Sequence, residues 1–303
     1  PLPIKMSSHQ GGKIEKGTTD SGLNFIWLRR NENQSSVLIY EFGAHVAEWN
    51  DANGKSKLYM SEKAILNGTK AIRGGIPICF PQFGKLGNYP QQHGFARNTV
   101  WKVVSTEQSD QNHETIAVFE LNDSMVPWTS SDGKQTPYVA QLKVALHENG
   151  SLSCTMVVKN PSATDSFQFT TALHTYFSVS DVATTKVEGL HKLEYVDQIA
   201  KEPSKHLVIQ TDPLVEFHSE VDRIYKQIPS KMVILDGNSP KTVIHVQSFY
   251  DAVVWNPYIE KTKTLTDMPE DAWKRFICVE AACASKPIVV APGQQWVGVL
   301  SLE

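Results

Sequence analysis

The chain has 303 residues, of which 41% are hydrophobic and 20% are charged, proportions that are ordinary for a globular protein with a substantial core. Its formal net charge of −3 argues against nucleic acid or an anionic membrane as the main partner, because both select a basic surface. No apolar run approaches the roughly 18 residues of a membrane span, and the opening residues lack the apolar segment of a signal peptide. We therefore expect a cytoplasmic protein whose four scattered cysteines are reduced thiols.

Residues 1–20 are polar and are predicted to form a flexible lead-in, followed by a single domain over residues 21–303. Short segments rich in Val, Ile, Thr and aromatic residues fill most of that domain and are separated by turn residues. The clearest lie at residues 138–162, where apolar and polar positions alternate on both sides of Glu148-Asn149-Gly150. One short helix is predicted over residues 266–276, with Thr266 or Asp267 as its cap. The pattern predicts an all-β sandwich of many antiparallel strands with few short helices.

The first segment that suggests chemistry is RGGIPICFPQFG at residues 73–84, followed by QHGFAR at residues 92–97. The guanidinium groups of Arg73 and Arg97 present paired donors that suit phosphate or carboxylate oxygens. The glycines and prolines around Arg73 make the backbone irregular and let a ligand come close to it. Taken singly, each arginine is more simply explained by a surface ion pair. Lys85 is a further cation for the same region, and the absence of a phosphate-loop pattern argues against nucleotide binding.

In the segment at residues 166–177, strict alternation assigns the side chains to two faces. The first face is mainly apolar and comprises Phe167, Phe169, Thr171, Leu173, Thr175 and Phe177. The second face is more polar and comprises Gln168, Thr170, Ala172, His174 and Tyr176. This division is typical of a strand that packs one side on the core and lines a cleft with the other. By itself, His174 is better explained as a hydrogen-bonded structural histidine.

Glu280 interrupts the apolar segment FICVEAACAS at residues 276–285. A buried carboxylate is uncommon unless it is paired or functional, and desolvation moves its pKa toward the range that suits a general base. A structural carboxylate tied to an arginine or a backbone amide is an equally good interpretation. The histidines and cysteines show no metal-site spacing, and no G-x-S-x-G pattern marks a serine nucleophile. His and Glu therefore remain as the plausible acid/base pair.

Taken together, these segments resemble the glucose-6-phosphate 1-epimerases, also called hexose-6-phosphate mutarotases. The blocks that carry the resemblance occur in the family's order and are RGGIPICFPQFG, QHGFARNTVW, LHTYF, VDRIY, DAVVWNP, ICVEAA and APGQQW. The resemblance implies a galactose-mutarotase-like β-sandwich with its sugar site in an open cleft. This chain departs from many relatives because Ala281-Ala282 follows Glu280 where Pro-Gly is common, which leaves the shape of the adjoining segment open.

The resemblance also implies roles for seven residues. His174 and Glu280 would be the acid and base that open and reclose the sugar ring, exchanging the α and β anomers of a hexose 6-phosphate, with glucose 6-phosphate as the expected substrate. The substrate-binding residues carried over from the matching blocks are Arg73, Gln92, His93, Arg97 and Asp222. Arg73 and Arg97 would bind the phosphate group. The reaction needs no cofactor and no metal, and we expect a monomer whose partner is a small-molecule sugar phosphate.

Three alternatives stay open on the sequence. An aldose 1-epimerase for unphosphorylated sugars would leave Arg73 and Arg97 with little to bind. A non-catalytic carbohydrate-binding protein on the same fold would not need both His174 and Glu280. A glycoside hydrolase would use two carboxylates that flank a glycosidic bond, for which Asp222 and Glu280 could be mistaken, but the histidine would then be unexplained.

Overall fold

The computed structural model describes residues 14–30, 33–109, 113–129, 133–202, 206–237 and 239–303. Strands dominate these ranges, which confirms the predicted all-β class. They are β1 (Ile14–Thr18), β2 (Asn24–Arg29), β3 (Ser36–Tyr40), β4 (His45–Asn50), β5 (Ile78–Cys79), β6 (Lys102–Ser109), β7 (Glu114–Asn122), β8 (Val139–His147), β9 (Leu152–Lys159), β10 (Phe167–Leu173), β11 (Tyr176–Ser178), β12 (Thr185–Glu188), β13 (Glu194–Asp197), β14 (Leu207–Ile209), β15 (Leu214–Val215), β16 (Val221–Lys226), β17 (Lys231–Asp236), β18 (Ser239–Gln247), β19 (Asp251–Asn256), β20 (Phe276–Val290) and β21 (Gln295–Leu302). The helical segments within these ranges are α1 (Tyr258–Thr262) and 3-10 turns at Ala96–Asn98, Val182–Thr184 and Ala272–Arg275.

The strands form three sheets, and all pairings between them are antiparallel. A four-stranded sheet has the order β1-β2-β3-β4. An eight-stranded sheet has the order β14-β13-β16-β19-β20-β10-β5, with β11 also paired to β20. A nine-stranded sheet has the order β15-β12-β17-β18-β21-β9-β8-β7-β6.

The main core lies between the eight-stranded and nine-stranded sheets. Strand β9 shows how the sequence builds it, because every second side chain is buried and the others are half-buried. The buried set is Leu152, Cys154, Met156 and Val158. Across the interface, Phe169 of β10 meets Trp296 of β21 edge to face, with ring centroids 5.7 Å apart. The two sheets therefore pack face to face around one apolar cluster.

Strand β20 lies in the middle of the eight-stranded sheet and is buried on both faces over residues 276–284. One set of alternating side chains packs into the main core, namely Ile277, Val279, Ala281 and Cys283. Glu280 consequently projects from the opposite face, together with Cys278 and Ala282, which belong to two smaller apolar clusters. This face of the sheet is where a cleft can reach the carboxylate.

The two faces predicted for residues 166–177 are confirmed in β10 and β11. Phe169 and Phe177 lie in the main core. On the other side, the rings of His174 and Tyr176 stack with centroids 4.9 Å apart and an interplanar angle of 9°. His174 sits between the two strands and follows Leu173, the last residue of β10.

The segment at residues 73–77 holds the four-stranded sheet against β10 and β11. The N–H of Ile76 donates to the carbonyl of Val46 in β4 (2.9 Å), and the carbonyl of Gly75 accepts from the N–H of Tyr176 (2.9 Å). The carbonyl of Pro77 accepts from the N–H of His174 (2.9 Å). Gly75 has φ = +59°, and a Cβ there would lie 2.7 Å from the Nε2 atom of His45. Glycine is therefore needed both for the backbone conformation and for the close approach.

The N-terminal boundary differs from the prediction of a flexible lead-in over residues 1–20. Residues 1–13 lie outside the described residues, whereas Ile14–Thr18 forms β1 and pairs with β2 from Ile14↔Leu28 to Thr18↔Asn24. Ile14 packs against the main core. This backbone pairing and apolar contact bring residues 14–18 into the sheet, although their composition is polar.

The helix predicted over residues 266–276 is shorter than expected. Only the 3-10 turn Ala272–Arg275 forms there, with Asp271 rather than Thr266 or Asp267 in the capping position. Pro269 accounts for the difference, because proline removes a backbone donor and disfavours a helical conformation of the residue before it. The helix α1 was not predicted.

Two apolar segments that the sequence pattern separates are joined in one strand. The apolar runs at residues 275–282 and 286–291 fall largely within the single long strand β20. Ala281 and Ala282 continue that strand, pairing with β19 and β10, so no loop follows Glu280. All four cysteines are free, as predicted, and the structure shows that they are buried. No helix in the described part of the chain has the length and apolar character that a bilayer span requires.

Candidate active site

A cleft of about 290 Å³ opens on the face of the eight-stranded sheet that carries Glu280. All seven residues named from the resemblance line it, although they come from five separate parts of the chain. They are Arg73, Gln92, His93, Arg97, His174, Asp222 and Glu280. The remaining lining residues are Phe83, Gly84, Gln198, Val253, Trp255, Lys261 and Leu265.

His174 and Glu280 form the floor of this cleft. The Nδ1 atom of His174 lies 3.2 Å from Oε1 of Glu280, and the two residues are only 8% and 1% exposed. The imidazole is held between the ring of Tyr176, on which it stacks, and the edge-on ring of Trp255 at 5.9 Å. Despite the close approach, His174 Nδ1 and Glu280 Oε2 make no hydrogen bond of good geometry within the described residues. Buried polar atoms without partners are rare, which distinguishes this pair from ordinary structural side chains.

The environment of the pair favours uncharged forms of both groups. Burial raises the pKa of Glu280 well above 4.5; repulsion from Asp222 adds to this effect and Arg97 opposes it. Burial lowers the pKa of His174 well below 6.5, reinforced by His93, Arg97 and Arg73. Both directions follow from the cost of holding charge away from water. The environment therefore favours a neutral imidazole and a neutral carboxylic acid over the charged forms of the two groups.

Arg73 is fixed by two neighbours before any ligand arrives. Its Nε and one terminal nitrogen contact the carboxylate of Asp267 at 3.2 and 3.5 Å, and the other terminal nitrogen donates to the hydroxyl of Tyr176 at 3.0 Å. Burial would raise the pKa of Asp267, but Arg73 and Lys70 lower it on balance. A guanidinium has five N–H donors. Arg73 therefore offers its two remaining donors from a rigid, partly neutralised group.

Arg97 lies in the 3-10 turn Ala96–Asn98 and forms fewer hydrogen bonds with the protein than Arg73 does. One terminal nitrogen donates to the backbone carbonyl of Gln92 at 3.3 Å. Its buried Nε has no hydrogen-bond partner, and no carboxylate of the described residues lies within ion-pair distance of it. Gln92 itself is exposed on the rim of the cleft. Most of the donors of Arg97 are consequently free for an anionic ligand.

His93 is held as a neutral hydrogen-bond donor. Its Nδ1 accepts from the N–H of Gly84 at 3.0 Å and lies 3.1 Å from the sulfur of Cys79. Because a backbone N–H can only donate, the proton of the neutral ring is on Nε2. Burial lowers the pKa of His93 to about 3, with contributions from Arg97 and Arg73. The ring meets that of His174 at 5.7 Å, which places this donor beside the catalytic candidates.

Asp222 occupies the opposite side of the cleft on β16, paired in register with Trp255. Its Oδ1 accepts from the side-chain amide of Gln198 at 2.5 Å. Burial raises the pKa of Asp222 to about 6, and Lys261 of α1 is among the groups that oppose this rise. Asp222 can therefore accept hydrogen bonds from ligand hydroxyls with its free oxygen, flanked by one amide and one ammonium group.

Sequence reasoning missed two residues that line the cleft, Gln198 and Lys261, and two that hold Arg73 in place, Tyr176 and Asp267. Tyr176 could have been found, because it lies two residues from His174 on the face assigned to the cleft. Asp267 was interpreted as a helix cap, and nothing in the sequence connects it with Arg73. Gln198 and Lys261 are polar residues in ordinary surface-like segments, so no pattern distinguishes them.

Lys85, expected near the arginines, does not line this cleft. It borders a neighbouring cavity of about 370 Å³ that also contains Tyr89, Trp128 and Gln168. The segment around Gln82 and Phe83 separates the two spaces, since Phe83 faces the cleft and its N–H donates to Thr170 of β10. The expectation for Lys85 was wrong because the chain turns away from the cleft after Gly84.

The floor of the cleft also contains a set of atoms that metals use as ligands. His174, Cys278 and Glu280 each place one such atom within 4.8 Å of the other two, and all three residues are buried. The histidine and cysteine spacing in the sequence gives no sign of this cluster, because only the pairing of β20 with β11 brings Cys278 next to the His174–Tyr176 segment.

The chain belongs to the aldose 1-epimerase family, whose model matches residues 26–303. It is 41% identical over 291 residues to a protein of Cenchrus ciliaris that is provisionally named glucose-6-phosphate 1-epimerase, covering 94% of this chain and 86% of the relative. A Salmonella typhimurium protein with the same provisional name is 32% identical over 253 residues, covering 81% and 79%.

Solved structures of two similar proteins have the same fold as this chain. A Salmonella typhimurium protein provisionally described as a mutarotase superposes with a TM-score of 0.80 at 25% identity, covering 99% of this chain and 96% of the other. The galactose 1-epimerase of Lactobacillus acidophilus superposes with a TM-score of 0.69 at 12% identity, covering 99% and 97%. The predicted galactose-mutarotase-like architecture is therefore confirmed.

Proposed function

We propose that this protein interconverts the α and β anomers of hexose 6-phosphates, with glucose 6-phosphate as the main substrate. The observation that carries the proposal is that one cleft brings the buried His174–Glu280 pair, in contact at 3.2 Å, beside the guanidinium of Arg97, which makes a single side-chain hydrogen bond to the described part of the chain. Membership of the aldose 1-epimerase family supports the reaction class. The provisional names of the relatives in Cenchrus ciliaris and Salmonella typhimurium support the phosphorylated substrate.

In the proposed mechanism the pair keeps its one proton throughout. The reactive form has the proton on His174 and a carboxylate on Glu280. Glu280 Oε2 removes the proton of the anomeric hydroxyl while His174 gives its proton to the ring oxygen, and the bond between the anomeric carbon and the ring oxygen breaks. The product of this step is an open-chain aldehyde with neutral His174 and protonated Glu280.

The second half of the reaction reverses these transfers. Rotation about the bond next to the aldehyde carbon presents its other face to the C5 hydroxyl. Glu280 returns its proton to the aldehyde oxygen, His174 takes back the hydroxyl proton, and the ring closes as the other anomer. Burial favours the neutral form of the pair, which is the form that accompanies the open-chain intermediate. Each positioned acid or base typically contributes about 10²- to 10⁴-fold to the rate.

The phosphate would be held chiefly by Arg97, with Arg73 in support. Arg97 retains most of its donors, whereas Arg73 shares its charge with Asp267. The two remaining donors of Arg73 are pre-oriented, which reduces the entropy cost of binding. Asp222, Gln92 and the Nε2–H of His93 are then available for sugar hydroxyls. In this arrangement the residues that bind the phosphate are distinct from the residues that transfer protons.

The test is the exchange rate between the two anomers, measured by magnetisation-transfer NMR on glucose 6-phosphate, glucose and galactose in parallel. We expect the wild-type protein to accelerate exchange of glucose 6-phosphate and to have little effect on the neutral sugars. Glu280→Gln serves as the inactive control. Binding of glucose 6-phosphate without any acceleration of exchange would reject the catalytic proposal in favour of a binding protein.

One observation favours a second candidate, an aldose 1-epimerase for unphosphorylated sugars. The ion pair with Asp267 satisfies part of Arg73 without a ligand, so this arginine does not require a phosphate. Faster exchange of glucose or galactose than of glucose 6-phosphate would establish this alternative.

A further inference from the structure

The floor of the cleft contains three potential metal ligands of different chemical types. Their donor atoms, one each from His174, Cys278 and Glu280, lie within 4.8 Å of one another. Two of the residues contribute buried atoms without hydrogen-bond partners, His174 Nδ1 and Glu280 Oε2. We propose that these three residues form a site at which Zn²⁺, or another cation that accepts nitrogen and sulfur ligands, binds and inhibits the protein.

The spacing of two of the ligands already suits such a cation. Zinc binds imidazole nitrogen and carboxylate oxygen at about 2.0–2.2 Å and prefers tetrahedral angles. A metal at those distances from His174 Nδ1 and Glu280 Oε1, which are 3.2 Å apart, would subtend an angle of about 100° between them. The third ligand, the Cys278 sulfur, lies deeper beneath the pair and completes a three-residue set. The fourth position then faces the cleft, because both His174 and Glu280 line it.

The chemical types of the three ligands suit a cation of this kind. Zn²⁺ is bound in proteins by imidazole nitrogen, carboxylate oxygen and thiolate sulfur, and His174, Glu280 and Cys278 supply one of each. Because such ligands bind a metal in their deprotonated forms, the affinity for the metal rises with pH.

Nearby charged side chains change the affinity of the cluster for a cation, but they do not change the rise of that affinity with pH. The guanidinium groups of Arg73 and Arg97 oppose a cation, and Asp222 favours one. Tyr176 and His93 also face the cluster, and both are neutral near pH 7 because burial raises the pKa of Tyr176 and lowers that of His93. A bound cation would occupy the lone pairs of His174 and Glu280 that proton transfer requires. Inhibition follows from that occupancy.

The first experiment rests on the proposed function and compares inhibition of anomer exchange by ZnCl₂ and MgCl₂. We expect micromolar Zn²⁺ to inhibit, EDTA to restore activity, and Mg²⁺, which prefers oxygen ligands, to have no effect. Cys278→Ser should keep its uninhibited activity within a few-fold and lose at least about tenfold in Zn²⁺ sensitivity, since even outer partners of metal sites change affinity about 10- to 100-fold. Cys283→Ser, which alters a buried cysteine on the core face of the same strand, is the matched control. Equal inhibition of both variants and the wild type would overturn the proposal.

The second experiment does not depend on the reaction, so it separates failure of this site from failure of the proposed function. Co²⁺ is added to the wild-type protein and to both cysteine variants while the absorbance of the sulfur-to-cobalt charge-transfer band is recorded. We expect the band in the wild type and in Cys283→Ser, and no band in Cys278→Ser. If the wild type shows no such band, or if Cys283→Ser abolishes it, Cys278 is not a metal ligand.

Discussion

The Nδ1 atom of His174 lies 3.2 Å from Oε1 of Glu280, and both side chains are almost completely withdrawn from solvent. An imidazole and a carboxyl group in such contact share protons as a unit. Both residues line one cleft. This relationship leads to the first two predictions below.

Replacement of either member of the pair should remove most of the activity. Glu280→Gln keeps the shape of the side chain but cannot accept the anomeric proton, and His174→Ala cannot supply a proton to the ring oxygen. We expect each to lower the rate of glucose 6-phosphate anomer exchange by about 10²- to 10⁴-fold. The double variant should be little worse than either single one, because the two groups act as a unit.

Calorimetric titration with glucose 6-phosphate provides the control for this experiment. The dissociation constant should change only a few-fold in Glu280→Gln, because the cations that would hold the phosphate are intact. A variant of either residue that keeps a near-wild-type exchange rate would show that the proton-transfer roles are assigned wrongly.

The pH profile of kcat/KM should have two limbs, because the proposed mechanism requires one proton on the His174–Glu280 pair. At low pH the pair gains a second proton, and this limb lies below 6.5 because burial lowers the pKa of His174. At high pH the pair loses its only proton, and this limb lies well above 4.5 because burial raises the pKa of Glu280. The measurement is an exchange-rate series plotted against the dianion concentration, since the substrate phosphate itself titrates near pH 6. A single limb centred at 6.5, typical of an isolated histidine, would contradict the one-proton pair.

The two arginines should respond differently to substitution. Arg97→Ala should raise KM for glucose 6-phosphate by about one to two decades, the equivalent of about 1.5–3 kcal/mol for a charged hydrogen bond, and should change kinetics with glucose much less. Arg73→Ala should also lower Tm, because it leaves the buried carboxylate of Asp267 without its main partner. Arg275→Ala, at an arginine outside the cleft whose side chain is 39% exposed, is the control. Equal effects of Arg97→Ala on both sugars would favour the neutral-sugar alternative.

Two glycines of the segment at residues 73–84 form a matched pair for a stability test. Gly75 and Gly84 both have positive φ (+59° and +55°), but a Cβ at Gly75 would be crowded by His45 whereas one at Gly84 meets nothing within 4 Å. Gly84→Ala should cost about 1–2 kcal/mol for the backbone conformation alone. Gly75→Ala should cost about 1–3 kcal/mol more because of overpacking, measured by urea unfolding. Equal costs would show that the segment can relax around the added methyl group.

The sequence by itself determined the class of fold and the order of its parts. Alternation in β9 and β10 assigned the core face correctly, because the side-chain period of a strand is two wherever one face is buried. It also placed His174 and Tyr176 on the face away from the core. The blocks that resemble the glucose-6-phosphate 1-epimerases were recognisable because each is short and contiguous in the sequence.

The tertiary structure decided what each of those residues can do. Sequence could not show that Asp267 engages Arg73, that Arg97 is left uncommitted, that Lys85 faces another cavity, or that Cys278 lies beneath the His174–Glu280 pair. Each of these facts depends on contacts between segments far apart in the chain, which local periodicity does not encode. The protonation of the pair depends on the same contacts, because burial by the surrounding strands, rather than the identity of the residues, removes water from the two groups.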